Sequence, residues 1–207
     1  MENRDHNKKI SGILLAAGES SRLGQPKQLL KFNNQYLINH MIKIIKSGGI
    51  DDLNVVVGAY REQIVRVITS LNVKVVVNDA WKDGIGSSFR EGVRCIAKET
   101  EAVMIFVVDQ PYLDPYIIRK IINLFNISNA KIIASRVKGE QIHPVLYKRE
   151  IFDKILNLKT GQSGKNIMNF IPPVWMNFTN DSLLIDIDTA VDYRHLIKNQ
   201  YCQSDIQ

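Results

Sequence analysis

The segment Leu15-Ala16-Ala17-Gly18-Glu19-Ser20-Ser21-Arg22-Leu23-Gly24-Gln25-Pro26-Lys27 follows directly on an apolar run, and its residue types are those that cradle polyphosphate. Small side chains let the backbone bend tightly and bring N–H groups close to an anion, while Arg22 and Lys27 are spaced to reach the same charge. The segment lacks the Gly-Lys-Ser/Thr ending of a Walker loop and the Gly-x-Gly-x-x-Gly of a dinucleotide fold, which disfavours a nicotinamide cofactor. An ordinary βα turn is the competing reading, and the loop's length and its load of Gly, Ser, Arg and Lys weigh against it. A second chemical feature is Asp109, which ends the most apolar run of the chain, Ala102 to Val108. Carboxylates at strand ends line the ligand crevice of open α/β sheets, where one can hold Mg²⁺ on a phosphate; a turn cap is the competing role.

These groups need a scaffold, and short Val- and Ile-rich runs alternating with amphipathic stretches predict one of βα units around a mostly parallel sheet. Strands are predicted at Ile10 to Ala16, Leu53 to Val57, Val73 to Val77, Ala102 to Val108, Lys131 to Ser135 and Leu183 to Ile187. Helices are predicted at Tyr36 to Ile45, with Leu37, Met41, Ile44 and Ile45 on one face, and at Tyr60 to Leu71, with Ile64, Val67, Ile68 and Leu71. Asp114-Pro115 reads as a helix start, and both Ser88 with Glu91 and Thr189 with Asp192 have capping-box spacing. Residues 138–173, with their glycines and the Pro172-Pro173 pair, break the alternation and read as an insertion on one rim of the sheet, where an acceptor would bind. The fold class is therefore α/β, a single Rossmann-like three-layer domain spanning residues 1–207 with its core at about 10–198.

With 207 residues, 45% hydrophobic and 23% charged, the chain has a globular composition, and its formal charge of +6 suits phosphate-bearing ligands. No basic run beyond Lys8-Lys9 and no interleaving of cations with aromatics points to nucleic acid, and no apolar stretch is long enough for a membrane span. The charged start from Met1 to His6 lacks a secretory signal, so a cytoplasmic address is expected. Cys95 and Cys202 read as bland thiols.

The pattern Leu-Ala-Ala-Gly-x-Ser-x-Arg-x-Gly-x-x-Lys-x-Leu-Leu over residues 15–30 resembles the signature of nucleotidyltransferases with a Rossmann-like nucleotide-binding fold, specifically the molybdenum cofactor cytidylyltransferases. Three further segments are similar to that family: Asn78 to Gly92, Asp109-Gln110-Pro111, and Asp186-Ile187-Asp188-Thr189. The resemblance implies transfer of CMP from CTP to molybdenum-bound molybdopterin, with Mg²⁺ or Mn²⁺ as cofactor and a molybdenum hydroxylase or its maturation chaperone as partner. It implies that Arg22, Lys27 and Asp109 are catalytic and that Ala16, Ala17 and Gly18 form the floor under the base. Gly84 would permit close approach to the base, and the Ser88 hydroxyl would meet cytosine's edge, alone or besides capping the helix. Asp109 and Asp186 would hold the metal, while His143 and Asp188 would meet the acceptor; Asp188 precapping the last helix is the competing role. Ala17, standing where related guanylyltransferases carry Gly, favours CTP over GTP.

The chain departs from the family pattern at Ile142, Gln162 and Asn166 in the acceptor segment, where Lys165, Lys138 and Arg136 offer cations for a phosphate, and at Ala190, which stands where the family has Pro. The alternatives are a cytidylyl- or nucleotidylyltransferase with another phosphorylated acceptor, and a non-catalytic nucleotide-binding accessory protein. In-line phosphoryl chemistry needs no covalent intermediate, so no Ser-His-Asp or Cys-His assembly is expected.

Overall fold

The computed structural model describes residues 8–204, leaving Met1 to His6 and the Cys202 side chain outside the described part. In chain order the elements are β1 (Ile10–Ala16), β2 (Lys31–Phe32), β3 (Gln35–Tyr36), α1 (Leu37–Ser47), β4 (Leu53–Val57), α2 (Arg61–Ile68), β5 (Lys74–Val77) and α3 (Ile85–Arg94). They continue as β6 (Ala102–Val107), α4 (Pro115–Ile127), β7 (Ile132–Val137), β8 (Glu140–Lys148), α5 (Phe152–Leu156), α6 (Gly164–Met168), β9 (Val174–Phe178) and α7 (Ala190–Ser204). Seven strands form one sheet in the order β5-β4-β1-β6-β8-β7-β9, and β8 alone runs antiparallel to its neighbours.

Helices cover both faces because strand residues alternate between them. Leu14 and Ala16 of β1 join Leu37 and Met41 of α1, Ile64 of α2 and Ile118 and Ile121 of α4 in one apolar layer. Ile13 and Ala17 face the other way, onto Phe89 and Val93 of α3, Phe152 and Ile155 of α5, and Ile167 of α6. This is the expected three-layer α/β architecture, and no helix among the described residues is long and apolar enough to cross a membrane.

Asp114 caps α4 as predicted, its carboxylate accepting from the Tyr116 amide at 2.7 Å. Thr189 and Asp192 cap α7 reciprocally. Three expectations are corrected. Ser88 starts no helix: α3 begins three residues earlier, after Gly84, whose φ of 94° and ψ of 179° suit glycine alone. Leu183 to Ile187 is not a strand but a 3₁₀ turn and an extended segment held by one backbone bond, Ile187 N–H to the Asp109 carbonyl at 3.0 Å. Its apolar residues mislead because Leu183 and Ile187 are anchors driven into the core. The strand at that end of the chain is β9, half-exposed at the sheet edge behind Pro172-Pro173. Finally, residues 138–173 are no rim insertion throughout, since Glu140–Lys148 forms β8 between β6 and β7, and only α5 and α6 lie outside the sheet.

Candidate active site

The loop after β1 winds through two 3₁₀ turns, Ser21–Leu23 and Lys27–Leu29, rather than a single helix start. Ser20 adopts a left-handed conformation and its hydroxyl accepts from the Lys27 amide at 3.2 Å, pinching the loop into a hook. Gln28, 2% exposed, fastens the hook from beneath: its side-chain amide donates to the carbonyls of Ala16 at 2.8 Å and Gly18 at 3.0 Å. Those two carbonyls are thereby satisfied within the loop. A cavity of about 430 Å³ opens beside it, bounded by the loop, by Trp81 and Gly84 ahead of α3, and by Ser88 and Asp109.

On the α3 side Asn78 organises the wall. Buried at the end of β5, it donates to the hydroxyls of Ser87 at 2.8 Å and Ser88 at 2.9 Å and accepts from the Ala80 amide at 3.0 Å. Ser88 thus lies within α3 at the cavity wall, held by Asn78 through its oxygen, and it can donate its hydroxyl hydrogen to a ligand. Gly84 meets nothing within 4 Å of an added Cβ, so its backbone conformation, rather than a tight contact, demands glycine. Gly86 is the close approach: a Cβ there would stand 2.2 Å from the Gln162 carbonyl oxygen, which seats α3 against the segment before α6.

The charged groups converge where β1, β6 and the segment before α7 meet. Lys27 Nζ lies 2.9 Å from Asp109 Oδ2 and 2.9 Å from Asp188 Oδ1, and Arg22 takes the second Asp188 oxygen at 2.8 Å. Burial by itself would lower the Lys27 ammonium, but the charge of Asp109 and the bonds to Asp188 and Asp109 outweigh it and raise its pKa above the ordinary value. The bond from Lys27 likewise holds the Asp188 carboxyl below the usual carboxylate range. Asp186 differs: much of the residue stays open to solvent, yet crowding of its carboxyl by protein pushes its pKa up, as do the charges of Asp109 and Asp188, against the opposing Gln110 amide bond at 3.0 Å. Asp188 does not cap α7, which Thr189 and Asp192 do between them.

A second cavity of about 390 Å³ shares Leu15, Ile85, Val107 and Asp109 with the first and opens toward α6. Phe89 and Tyr147, ring centroids 5.2 Å apart, form its floor, and His143, Gln110, Lys165 and Asp186 complete its polar side. Burial lowers the His143 imidazole pKa, against the opposing charge of Asp109. Its backbone N–H donates to Gln110 Oε1 at 3.0 Å. Gln110 therefore bridges His143 and Asp186.

The residues assigned to catalysis, nucleotide, acceptor and metal in the sequence all border these two cavities. Ala17 is 3% exposed, with its methyl in the apolar layer shared with Ile13 and Val56, while the residue still borders the first cavity. Two of the three cations offered for the acceptor are placed elsewhere: Arg136 bonds Asn177 and covers the Trp175 ring, and Lys138 pairs with Asp181. Lys165 alone of the three borders the second cavity. Ile142 is core, and Gln162 and Asn166 bond the amides of Lys159 and Ser163 within their own loop. Gln28, Asn78, Gln110 and Tyr147 have no site role in the sequence reading, because polar residues that bond backbone and neighbours carry no spacing signal.

The fold and the site together define an α/β protein with a cation-bearing loop after β1 and a carboxylate, Asp109, just past the carboxyl end of the central strand β6. The sequence profile of the MobA-like NTP transferase domain matches residues 12–174, and the chain belongs to this nucleotidyltransferase family. Over 199 residues it is 24% identical to nicotine blue oxidoreductase of Paenarthrobacter nicotinovorans, covering 91% of this chain and 96% of that protein. A probable molybdenum cofactor guanylyltransferase of Geobacillus sp. is 27% identical over 76% of this chain and 79% of its own length. Among solved structures, Rv0371c of Mycobacterium tuberculosis superposes with a TM-score of 0.82 at 24% identity, covering 93% of this chain and 99% of that one, and a manganese complex of it with 0.80. The structural likenesses speak for the fold.

Proposed function

We propose that the chain transfers a nucleoside monophosphate from a nucleoside triphosphate to a phosphorylated acceptor, with CTP as donor and molybdenum-bound molybdopterin as acceptor. The observation that carries this reading is the convergence of Lys27 and Arg22 on the carboxylates Asp109 and Asp188, with Asp109 the polar residue shared by two adjoining cavities. One cavity suits the nucleotide, its triphosphate under the Ala17 to Lys27 loop and its base between Ala16-Ala17-Gly18 and Ser88. The other suits the acceptor.

An oxygen of the acceptor phosphate attacks the α-phosphorus, the bond from that phosphorus to the β-phosphate bridging oxygen breaks, and pyrophosphate leaves with the electron pair. Lys27 and Arg22 offset charge on the triphosphate as it shifts to the leaving group, and His143 and Gln110 orient the acceptor. Asp109 and Asp186 fit a divalent cation: they are hard oxygen donors, and the Lys27 ammonium already marks a cation position on Asp109. Bound there, the metal would neutralise phosphate charge as a Lewis acid. The manganese complex of Rv0371c accords with such a site in the family's fold.

Guanylyltransferases among the relatives make the base an open choice within this proposal, and Ser88, as a donor, serves a carbonyl of either base. A second reading keeps the chemistry and changes the acceptor. It is favoured by the single cation, Lys165, among the residues bordering the second cavity. The deciding experiment mixes the protein with Mg²⁺, CTP or GTP, and molybdopterin, and follows pyrophosphate. Release that depends on molybdopterin supports the proposal; release only with other phosphate esters supports the second reading. No release with any acceptor leaves a nucleotide-binding accessory protein and sinks both.

A further inference from the structure

The Lys27 side chain occupies the position where a cation serves the carboxylates best. Its ammonium touches Asp109 and Asp188 at 2.9 Å each, with only 16% of the side chain exposed. Arg22 holds the remaining Asp188 oxygen, and the Gln110 amide holds Asp186 Oδ1. The ion-paired carboxylates Asp109 and Asp188 are thus matched by two cations, Lys27 and Arg22, which leaves little net attraction at that pair for a free metal ion. A divalent ion approaching Asp109 also meets the ammonium held 2.9 Å from Asp109 Oδ2, and like charges on one carboxylate repel strongly away from bulk water. Among the described residues no three His, Cys, Asp or Glu side chains converge to hold an ion by themselves.

The backbone beneath Lys27 is fixed. Its amide is held by the Ser20 hydroxyl, and the next residue, Gln28, is bonded to Ala16 and Gly18. The flexible four-carbon stem can thus swing from the carboxylates to a triphosphate while the loop stays in place. A triphosphate alone supplies both things the exchange requires: a new anionic partner for the ammonium and oxygen ligands for the metal.

We infer that Lys27 is the protein's own substitute for the divalent cation, so that the metal enters as the metal–nucleotide complex and not as the free ion. The inference rests on the nucleotide-site reading above. It makes Lys27 a specificity device as well as a phosphate ligand: the empty site rejects free metal, and the incoming nucleotide releases the lysine from Asp109.

The test is a Mn²⁺ titration of the full chain without nucleotide, followed by electron paramagnetic resonance, for wild type, Lys27→Met and Lys27→Gln, with circular dichroism confirming the fold. Each charge-assisted bond lost from Asp109 is worth about tenfold in competition, so both variants should bind free Mn²⁺ at least about tenfold tighter than wild type. Wild type should gain protein-bound Mn²⁺ on adding CTP or GTP. Adding Asp109→Asn to Lys27→Met should abolish the gain. Equal Mn²⁺ affinity of wild type and both lysine variants, with the ternary complex still forming, overturns the inference and leaves the site reading standing. A gain that survives Asp109→Asn puts the ion elsewhere and overturns both.

Discussion

Replacing Asn78 separates the two jobs of the α3 wall, stability and ligand contact. Asn78→Ala removes three hydrogen bonds of 2.8, 2.9 and 3.0 Å in a region where Asn78, Ser87 and Ser88 are at most 5% exposed. At about 1 kcal/mol per bond and a further 1 to 3 kcal/mol for a buried group left without a partner, the loss is about 4 to 6 kcal/mol. That is a large share of the roughly 5 to 15 kcal/mol that holds a domain together, and for a chain of this size it lowers Tm by about 8 to 24 °C. Asn78→Asp keeps the acceptor for the Ala80 amide but offers only acceptors to the serines, so both hydroxyls must turn and donate to the new carboxylate. Ser88 then has no hydrogen for a ligand. The aspartate variant should unfold at higher temperature than the alanine variant, yet bind CTP and GTP about five- to tenfold more weakly than wild type, the worth of one hydrogen bond. Thermal unfolding and nucleotide titration read the two effects separately. Wild-type nucleotide affinity in Asn78→Asp would refute Ser88 as a donor to the nucleotide, and an alanine variant within about 2 °C of wild type would refute the energetic weight given to the network.

Lys27→Ala should cost on the order of 10²-fold or more in turnover while nucleotide binding changes far less, because its charge is worth most where charge develops. Near-normal kcat in a pyrophosphate-release assay would remove that role. Ala17→Gly should leave the preference between CTP and GTP nearly unchanged, because the methyl packs in the apolar layer with Ile13 and Val56 rather than in the cavity; parallel product assays check this, and a change of about tenfold or more in the preference would put the methyl against the base. The Asp186 carboxyl, crowded and beside two like charges, has a folded pKa above its unfolded value. Its ionisation therefore penalises the folded state, with no penalty below the unfolded carboxylate value and the full penalty above the raised folded one. Asp186→Asn, whose amide oxygen still accepts from Gln110, should raise Tm at neutral pH without metal and lose that advantage toward acid pH; a difference constant across pH would refute the assignment.

The alternating apolar runs set the class of fold, because a strand covered on both faces has to be apolar throughout, and β1, β4 and β6 were legible for that reason. The phosphate-type loop was legible for a different one: its glycines, serines and cations are chemically explicit and lie within a dozen residues of one another. The antiparallel β8 was obscured by His143-Pro144 and the glycine before it, although its run from Pro144 to Tyr147 is buried throughout. Leu183 to Ile187 imitated a strand because an apolar run cannot say whether a partner edge is available.

By itself, then, the amino-acid sequence determined the layered α/β architecture, the loop and the identity of the charged residues around it, all properties of local pattern and composition. Tertiary structure alone decided which charges meet. Lys27, Asp109 and Asp188 are separated by as many as 161 residues, and only the packing of β1, β6 and the segment before α7 brings them within 2.9 Å. It likewise withdrew Arg136 and Lys138 from the acceptor side and turned Ser88 from a cap into a side chain bonded to Asn78. Partnership between distant polar groups depends on where burial places each backbone, and no spacing along the chain encodes it.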